Sequence, residues 1–297
     1  MLEIIDFGGL LGLFDLNFKD ILNYPSIVLI AFGVFWLVFA SWQDFKRREV
    51  ENWWSFSLIA LVLAFRLFFS VERGNYWFFA WGLIGLIVGF AIANLLYYGR
   101  MFAGGDFKLL LALFCVLPFS LGWRENVFIF IGFFVLMIFA GGVYGLIYSF
   151  IMACINFKRF SREFSLQIKK NKILLISSFV VGLLVFFGFR LIDNYLAIII
   201  SLLILLSAFL FVFAKAVENS CLIKEVYAKE LTIGDWLVNK VKVKRKIIKP
   251  DWQGLSEEDL KFLVKNYKGK IIVKNGIPFI PAFLIAFAIL ILILRRL

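Results

Sequence analysis

Apolar runs long enough to cross a bilayer recur along the whole of this 297-residue chain, and they leave little freedom in its architecture. A spanning helix takes about 20 apolar residues, because every backbone N–H and C=O must find its partner inside the segment. Such runs are read at roughly Ser26–Gln43, Trp54–Val71, Tyr76–Tyr98, Phe107–Leu121, Val127–Ile155, Ile173–Phe189, Tyr195–Val217 and Pro278–Leu294. Composition agrees: 63% of residues are hydrophobic and the mean hydropathy is +0.93, where a soluble domain is about half apolar. The expected fold is an all-α polytopic membrane protein, a bundle of about eight transmembrane helices with a small cytoplasmic α+β region before the last helix. The boundaries follow as an external acidic leader over 1–25, a transmembrane core over 26–217, a cytoplasmic polar region over 218–277 and a C-terminal transmembrane helix over 278–297.

Orientation follows from Lys and Arg, which collect in cytoplasmic loops. Lys46, Arg47 and Arg48 follow the first run, and Arg100 follows the third. Lys158, Arg159, Arg162, Lys169, Lys170 and Lys172 fill the loop after the fifth, and lysines dominate the stretch from Glu218 to Gly276. The intervening loops are short and nearly neutral. The basic side is therefore placed in the cytoplasm of a multi-pass plasma-membrane protein, and the formal charge of +12 has this source rather than nucleic acid. Arg295 and Arg296 fall on the opposite side. The first residues carry Glu3, Asp6, Asp15 and Asp20 against Lys19, without the basic start of a secretory signal. In the polar region, Ser256 with Glu257, Glu258 and Asp259 marks a capped helix start. Val241–Lys244 and Lys270–Lys274 read as strands. Its basic face is a candidate for contact with anionic headgroups, beside the plainer reading of a solvated surface.

No histidine is present, which excludes Ser-His-Asp triads, Cys-His dyads and histidine zinc sites. Cys115, Cys154 and Cys221 are widely spaced and form no C-x-x-C pair. No metal site or cofactor is expected. Gly82, Gly85 and Gly89 on the third run are expected to let a neighbouring backbone approach, and Gly141, Gly142 and Gly145 to permit close contact or a bend. Arg66, near the outer end of the second run, is expected to snorkel to the membrane surface.

Two acids differ from the rest. Asp44 lies where the first run leaves the membrane, and Asp106 where the fourth begins, just after Gly104 and Gly105. An even number of crossings separates them, so both face the same side at similar depth. Two carboxylates on different helices are the minimum equipment for aspartyl hydrolysis: one ionised acid takes a proton from water while its neutral partner polarises the scissile carbonyl. The glycines suit a backbone that approaches another chain or adopts angles closed to other residues. Plainer readings stay open, with Asp106 a helix cap and Asp44 a boundary acid among cations. By helix dipole alone, Asp106 at an N-terminus would be the base and Asp44 at a C-terminus the acid.

The segment Asp44-Phe45-Lys46-Arg47-Arg48-Glu49-Val50-Glu51-Asn52 resembles the first aspartate motif of the prepilin peptidases, an Asp followed by basic residues and Val/Ile-x-Asn. Gly104-Gly105-Asp106-Phe107-Lys108-Leu109-Leu110 is similar to their second motif, G-x-G-D followed by x-K-L-L, although Ala103 replaces the first Gly. Gly276-Ile277-Pro278-Phe279-Ile280-Pro281 resembles a segment near their C-terminus. The bacterial cysteine pairs are missing, which points to the archaeal branch, the preflagellin and archaeal prepilin peptidases, and away from methyltransferase activity. The resemblance implies a membrane aspartyl endopeptidase with Asp44 and Asp106 catalytic and Gly104, Gly105, Lys108 and Asn52 in support. Its partners would be the bilayer and pilin-like or archaellin precursors, each with a short basic leader, a Gly at the cut and a hydrophobic helix beyond it. Lys108 lies on nearly the opposite side of its helix from Asp106, so a structural tether or a backbone contact is expected of it. Asn52 is expected either to bond the preceding loop or to cap the second run. The rival readings are an ion- or proton-coupled transporter, although no repeated halves are visible, and a noncatalytic scaffold in pilus assembly.

Overall fold

A computed structural model describes residues 23–244 and 246–296. Residues 1–22 of the expected acidic leader therefore lie outside the described residues. The long apolar helices are α1 (Tyr24–Arg47), α2 (Asn52–Arg73), α3 (Trp77–Tyr98), α5 (Trp123–Ile155), α7 (Lys172–Phe189) and α8 (Asn194–Val217), with the shorter α4 (Gly104–Val116) and α10 (Ile280–Arg296) packed among the first of them. Helix α6 (Phe157–Lys170) joins α5 to α7. Among the described residues, six segments are long and apolar enough to cross a membrane: α1, α2, α3, α5, α7 and Asn194–Leu222, which is α8 with a π-helical turn. The chain is a polytopic, mainly α-helical membrane protein with a small strand region near its C-terminus.

The elements start and stop for local reasons. Asn23 caps α1, its Oδ1 accepting the Ser26 amide at 3.1 Å, and Pro25 occupies the first turn. The helix closes at Arg48, in the left-handed region with φ 57°, whose N–H donates to the Asp44 carbonyl at 2.8 Å. Helix α2 ends at Gly74, where φ is 64° and the missing Cβ removes the strain.

The chain divides into two compact units, the first running to Gly145 and resuming at Pro278, the second Leu146–Ile277. In the first, α1 and α2 are fastened by a reciprocal pair. The Trp36 indole donates to the Trp54 carbonyl at 3.0 Å, the Trp54 indole donates to the Trp36 carbonyl at 3.1 Å, and the rings stack. The glycine stripe on α3 packs as its spacing predicts. A Cβ at Gly85 would sit 2.1 Å from the Phe114 carbonyl oxygen of α4, and one at Gly89 would sit 2.6 Å from the Phe114 Cβ. A Cβ at Gly141 would meet the Phe279 ring at 2.5 Å, whereas Gly142 and Gly145 face open space. Helix α5 runs unbroken through all three glycines.

Helix α4 stops at Val116, short of the run expected to Leu121, because Pro118 has no N–H with which to continue it. Leu117 and Phe119 stay buried, so the end of this helix lies in the apolar core. Its orphan carbonyls are collected by Arg66, which corrects the expectation of a snorkelling side chain. Arg66 is fully buried. One guanidinium nitrogen, Nη2, donates to the Val116 and Pro118 carbonyls at 3.1 and 2.6 Å; Nη1 donates to the Phe78 carbonyl at 2.9 Å. The guanidinium also lies 4.7 Å from the Phe78 ring centre. Gly82 leaves room for its stem, since a Cβ there would meet the Arg66 Cδ at 2.6 Å.

In the second unit α7 and α8 form a helical hairpin, with Gly182 against Ser201 and Leu205. The segment after α5, expected as a basic loop, is the helix α6, because Phe157, Phe160 and Phe164 recur at helical spacing and two of them bury on α8. Beyond the π turn, β1 (Ile223–Tyr227), β5 (Lys270–Lys274) and β2 (Trp236–Leu237) form an antiparallel sheet in the order β1-β5-β2, and β3 (Val241–Val243) pairs with β4 (Lys246–Ile248). The expected helix is α9 (Glu257–Asn266), capped by Ser256, whose Oγ accepts the Asp259 amide. Leu237, Val243, Leu263, Ile271 and Val273 lie in the small core beneath.

Gly85→Ala should lower the thermal midpoint in detergent by the equivalent of about 1–3 kcal/mol, since backbone must shift to admit the methyl. Gly142→Ala, entering open space, should be neutral or slightly stabilising; differential scanning fluorimetry of both variants tests the contrast.

Candidate active site

Asp44 sits in the last turn of α1 and is 6% exposed. Its Oδ2 accepts the amide of Ile280 at 2.9 Å, across 236 residues of sequence. Ile280 is the first residue of α10, so the carboxylate occupies one of the N–H positions that a helix start leaves unpaired. Pro278 and Pro281 bracket the donor, and the Phe279 amide also faces the carboxylate. The ring of Phe279 is fixed separately, against Phe102 and Phe283 at centroid distances of 5.3 and 5.5 Å and over Gly141. Segment 276–281 stands out in the sequence only by resemblance, and this role for its backbone does not, since a backbone donor has no side-chain signature.

Asp106 is in the first turn of α4, outside the six spanning segments and ahead of the apolar part of its own helix. Its Oδ2 accepts the Ala103 amide at 3.1 Å, the return half of a capping arrangement. Burial first, and the Asp44 charge second, push its carboxyl up to about 7, against a smaller opposing effect of the Ala103 bond. The two acids, 62 positions apart in sequence (106 minus 44), are thus brought within electrostatic reach of each other. Asp106 thus makes the cap bond expected of a helix start, and the same side chain feels the charge of Asp44.

The other residues singled out in the sequence lie at the starts of α4 and α2. Lys108 donates to Asn52 Oδ1 and links the start of α4 to the start of α2. This is the structural tether expected of Lys108, and neither alternative expected of Asn52: α2 begins without a side-chain cap bond at Glu51. The intervening turn is tied down by Arg47 to Glu51 at 2.8 Å, by the Trp53 indole to Glu51 at 2.6 Å and by the Glu51 amide to Gln43 Oε1 at 3.3 Å. Ala103 is extended, φ −79° and ψ 167°, a conformation open to any residue, so its replacement of glycine costs nothing in backbone strain. Neither Gly104 nor Gly105 has a positive φ. What they contribute is bare backbone: a Cβ at Gly104 would meet nothing within 4 Å, and one at Gly105 would approach only the Val50 amide, at 3.7 Å. Among the described residues no cluster of three His, Cys, Asp or Glu is placed to hold a metal ion.

Residues 10–157, about half of the chain and the stretch holding both acids, match the family model of the Type IV leader peptidase family. No curated protein and no solved structure matches.

An acid whose carboxyl titrates near 7 when folded, and near 4 when unfolded, binds more protons in the native state between those values. It therefore subtracts stability as pH rises through that window. Asp106→Asn keeps an acceptor for the Ala103 amide and removes the charge. Its thermal midpoint should exceed that of the wild type by a few degrees at pH 8 and converge with it near pH 4, as melting curves across that range would establish.

Proposed function

We propose that this chain, a member of the type IV leader peptidase family by the match over residues 10–157, is a membrane aspartyl endopeptidase that removes short basic leaders from pilin-like precursors. The observation that carries this reading is the pairing of Asp44 and Asp106 from two separate helices beside the bare backbone of Gly104 and Gly105. The precursors are of the prepilin and archaellin type, and the site faces the cytoplasm, where the Lys- and Arg-rich loops collect.

The roles of the two acids follow from their surroundings. Asp106, titrating near 7 beside the Asp44 charge, carries the proton shared by the pair. Asp44, with an α10 amide donating to it, remains the carboxylate. This reverses the assignment drawn from the helix dipoles, because Asp44 terminates one helix but receives the N-terminal amide of another. In the reaction the Asp44 carboxylate takes a proton from water as the oxygen attacks the scissile carbonyl carbon. Asp106 gives its proton to the carbonyl oxygen, forming a neutral tetrahedral diol. Collapse returns that proton to Asp106 and passes the Asp44 proton to the leaving amine, which restores both acids. Lys108 and Asn52 hold the starts of α4 and α2 together, so that Asp106 keeps its position relative to the turn after Asp44. The extended substrate segment lies along Gly104 and Gly105, where no side chain intervenes. Its hydrophobic helix stays in the bilayer, which brings the cut to the depth of the acids.

Detergent-solubilised protein incubated with a prepilin-like precursor should yield a product shortened at its N-terminus. Asp44→Ala and Asp106→Ala should each lower cleavage by at least about 1,000-fold, each removing one of two groups that act as a unit. Unchanged cleavage in either variant would remove that acid from the mechanism. A chain that cuts no precursor and moves protons or cations across vesicles would instead be a transporter.

Lys108→Met should leave the melting behaviour nearly intact, since its bond to Asn52 is exposed, while reducing cleavage by about 10-fold through a looser Asp106. Kinetics with the same precursor measure that loss.

A further inference from the structure

We infer that α6 is an anionic-lipid site: its outward face binds the phosphate-bearing headgroups of the bilayer in which the chain sits. The helix is fixed at the membrane surface by its connections. The single residue Asn156 separates it from α5 and the single residue Asn171 from α7, both of them spanning helices. Its inner face is committed to protein. Phe160 and Phe164 pack on Phe213 and Phe209 of α8 with centroid distances of 5.6 and 5.9 Å. Glu163 on that side accepts bonds from Asn219 and Gln167 at 3.0 and 2.8 Å. These two bonds lead the influences that hold its carboxyl below the usual range, with Lys170 a lesser one, so the helix's one acid stays ionised and is engaged by these neighbours.

What remains outward is cationic. Lys158, Arg159, Arg162, Lys169 and Lys170 are all exposed, and none of them forms a salt bridge among the described residues. At 100° per residue, Lys158, Arg162 and Lys169 fall within about 40° of arc, opposite the half-buried Phe160 and Phe164. On one flank of this stripe lie Phe157 and Ile168, 65% and 39% exposed. Phosphate-seeking cations beside unburied apolar side chains are the arrangement of a helix lying in the headgroup layer. The α5–α6 elbow repeats it on a smaller scale: a shallow recess of about 520 Å³ is lined by Ile155 and Phe157 on its apolar side and by Asn156, Lys158 and Arg159 on its polar side. Such a recess offers cations to one phosphodiester and an apolar wall to the first methylenes of its acyl chains. A soluble polyanion would use the cations and leave Phe157 and Ile168 in water. A lipid uses both, and the helix is already held where lipid is most concentrated.

The test uses the full chain in phosphatidylcholine nanodiscs doped with a trace of spin-labelled phosphatidylglycerol or spin-labelled phosphatidylcholine, the motionally restricted fraction being read by electron paramagnetic resonance. The wild type should restrict the anionic label at least fivefold more strongly than the zwitterionic one, since each cation near the surface is worth about fivefold, and high salt should weaken the preference. The exposed triple variant Lys158→Gln/Arg162→Gln/Lys169→Gln should lose it, while Lys240→Gln/Lys242→Gln/Lys249→Gln, which removes equal charge elsewhere, should keep it. Equal restriction of the two labels by the wild type would overturn the proposal. So would a preference that survives in the first variant or disappears equally in the second. Displacement of the lipid label by millimolar inorganic phosphate would reassign the face to a free anion and equally overturn it.

Discussion

A helix that ends inside an apolar interior leaves backbone groups with neither water nor a next turn to bind, and the first unit of this protein contains two such ends. At the end of α4 the unpaired groups are carbonyls, and the fully buried guanidinium of Arg66 takes those of Val116 and Pro118 together with that of Phe78. At the start of α10 they are amides, and the carboxylate of Asp44 takes that of Ile280. Each unpaired buried group would cost about 1–3 kcal/mol. A cation meets the negative end of one helix and an anion the positive end of another, as the helix dipoles require. One of these two buried charges is structural; the other belongs to the candidate site.

That difference bears on how the site is built. Asp44 is placed by a donor it does not share with its own helix, so α1 and α10 must be in register for the carboxylate to be seated. Asp106 is placed by the start of α4, whose far end Arg66 secures. The acid pair therefore depends on the packing of α1, α3, α4 and α10 as a whole, including the close contact that Gly85 and Gly89 allow between α3 and Phe114 of α4. A site with so little local support needs rigid neighbours, and the aromatic group of Phe102, Phe279 and Phe283 supplies them around Ile280.

Much of this was legible in the sequence because it is local. The apolar runs, the glycine stripe on α3, the Ser256 cap and the two acids at helix ends are properties of short segments, and each is found where its spacing put it. The failures are equally instructive. Arg66 was read as snorkelling because its depth was judged along its own helix, whereas its partners are created by Pro118, 52 positions away. Helix α6 was read as a loop because six cations in and beside it outweigh its aromatic spacing, although Phe157, Phe160 and Phe164 already lay one turn apart. The Ile280 amide was invisible in principle, since every residue but proline carries one and only the fold decides which is aimed at a carboxylate.

The exchange of roles proposed for the two acids has the same origin. A dipole argument confined to one helix makes Asp44 the acid, because it sits at a negative end. With α10 delivering an amide to that carboxylate and Asp106 desolvated, the proposed mechanism assigns the proton to Asp106. The proposed division of roles gives a physical reason for the C-terminal Ile-Pro-Phe-Ile-Pro segment to lie against Asp44, since the Ile280 amide that it delivers favours the charged carboxylate over the neutral one.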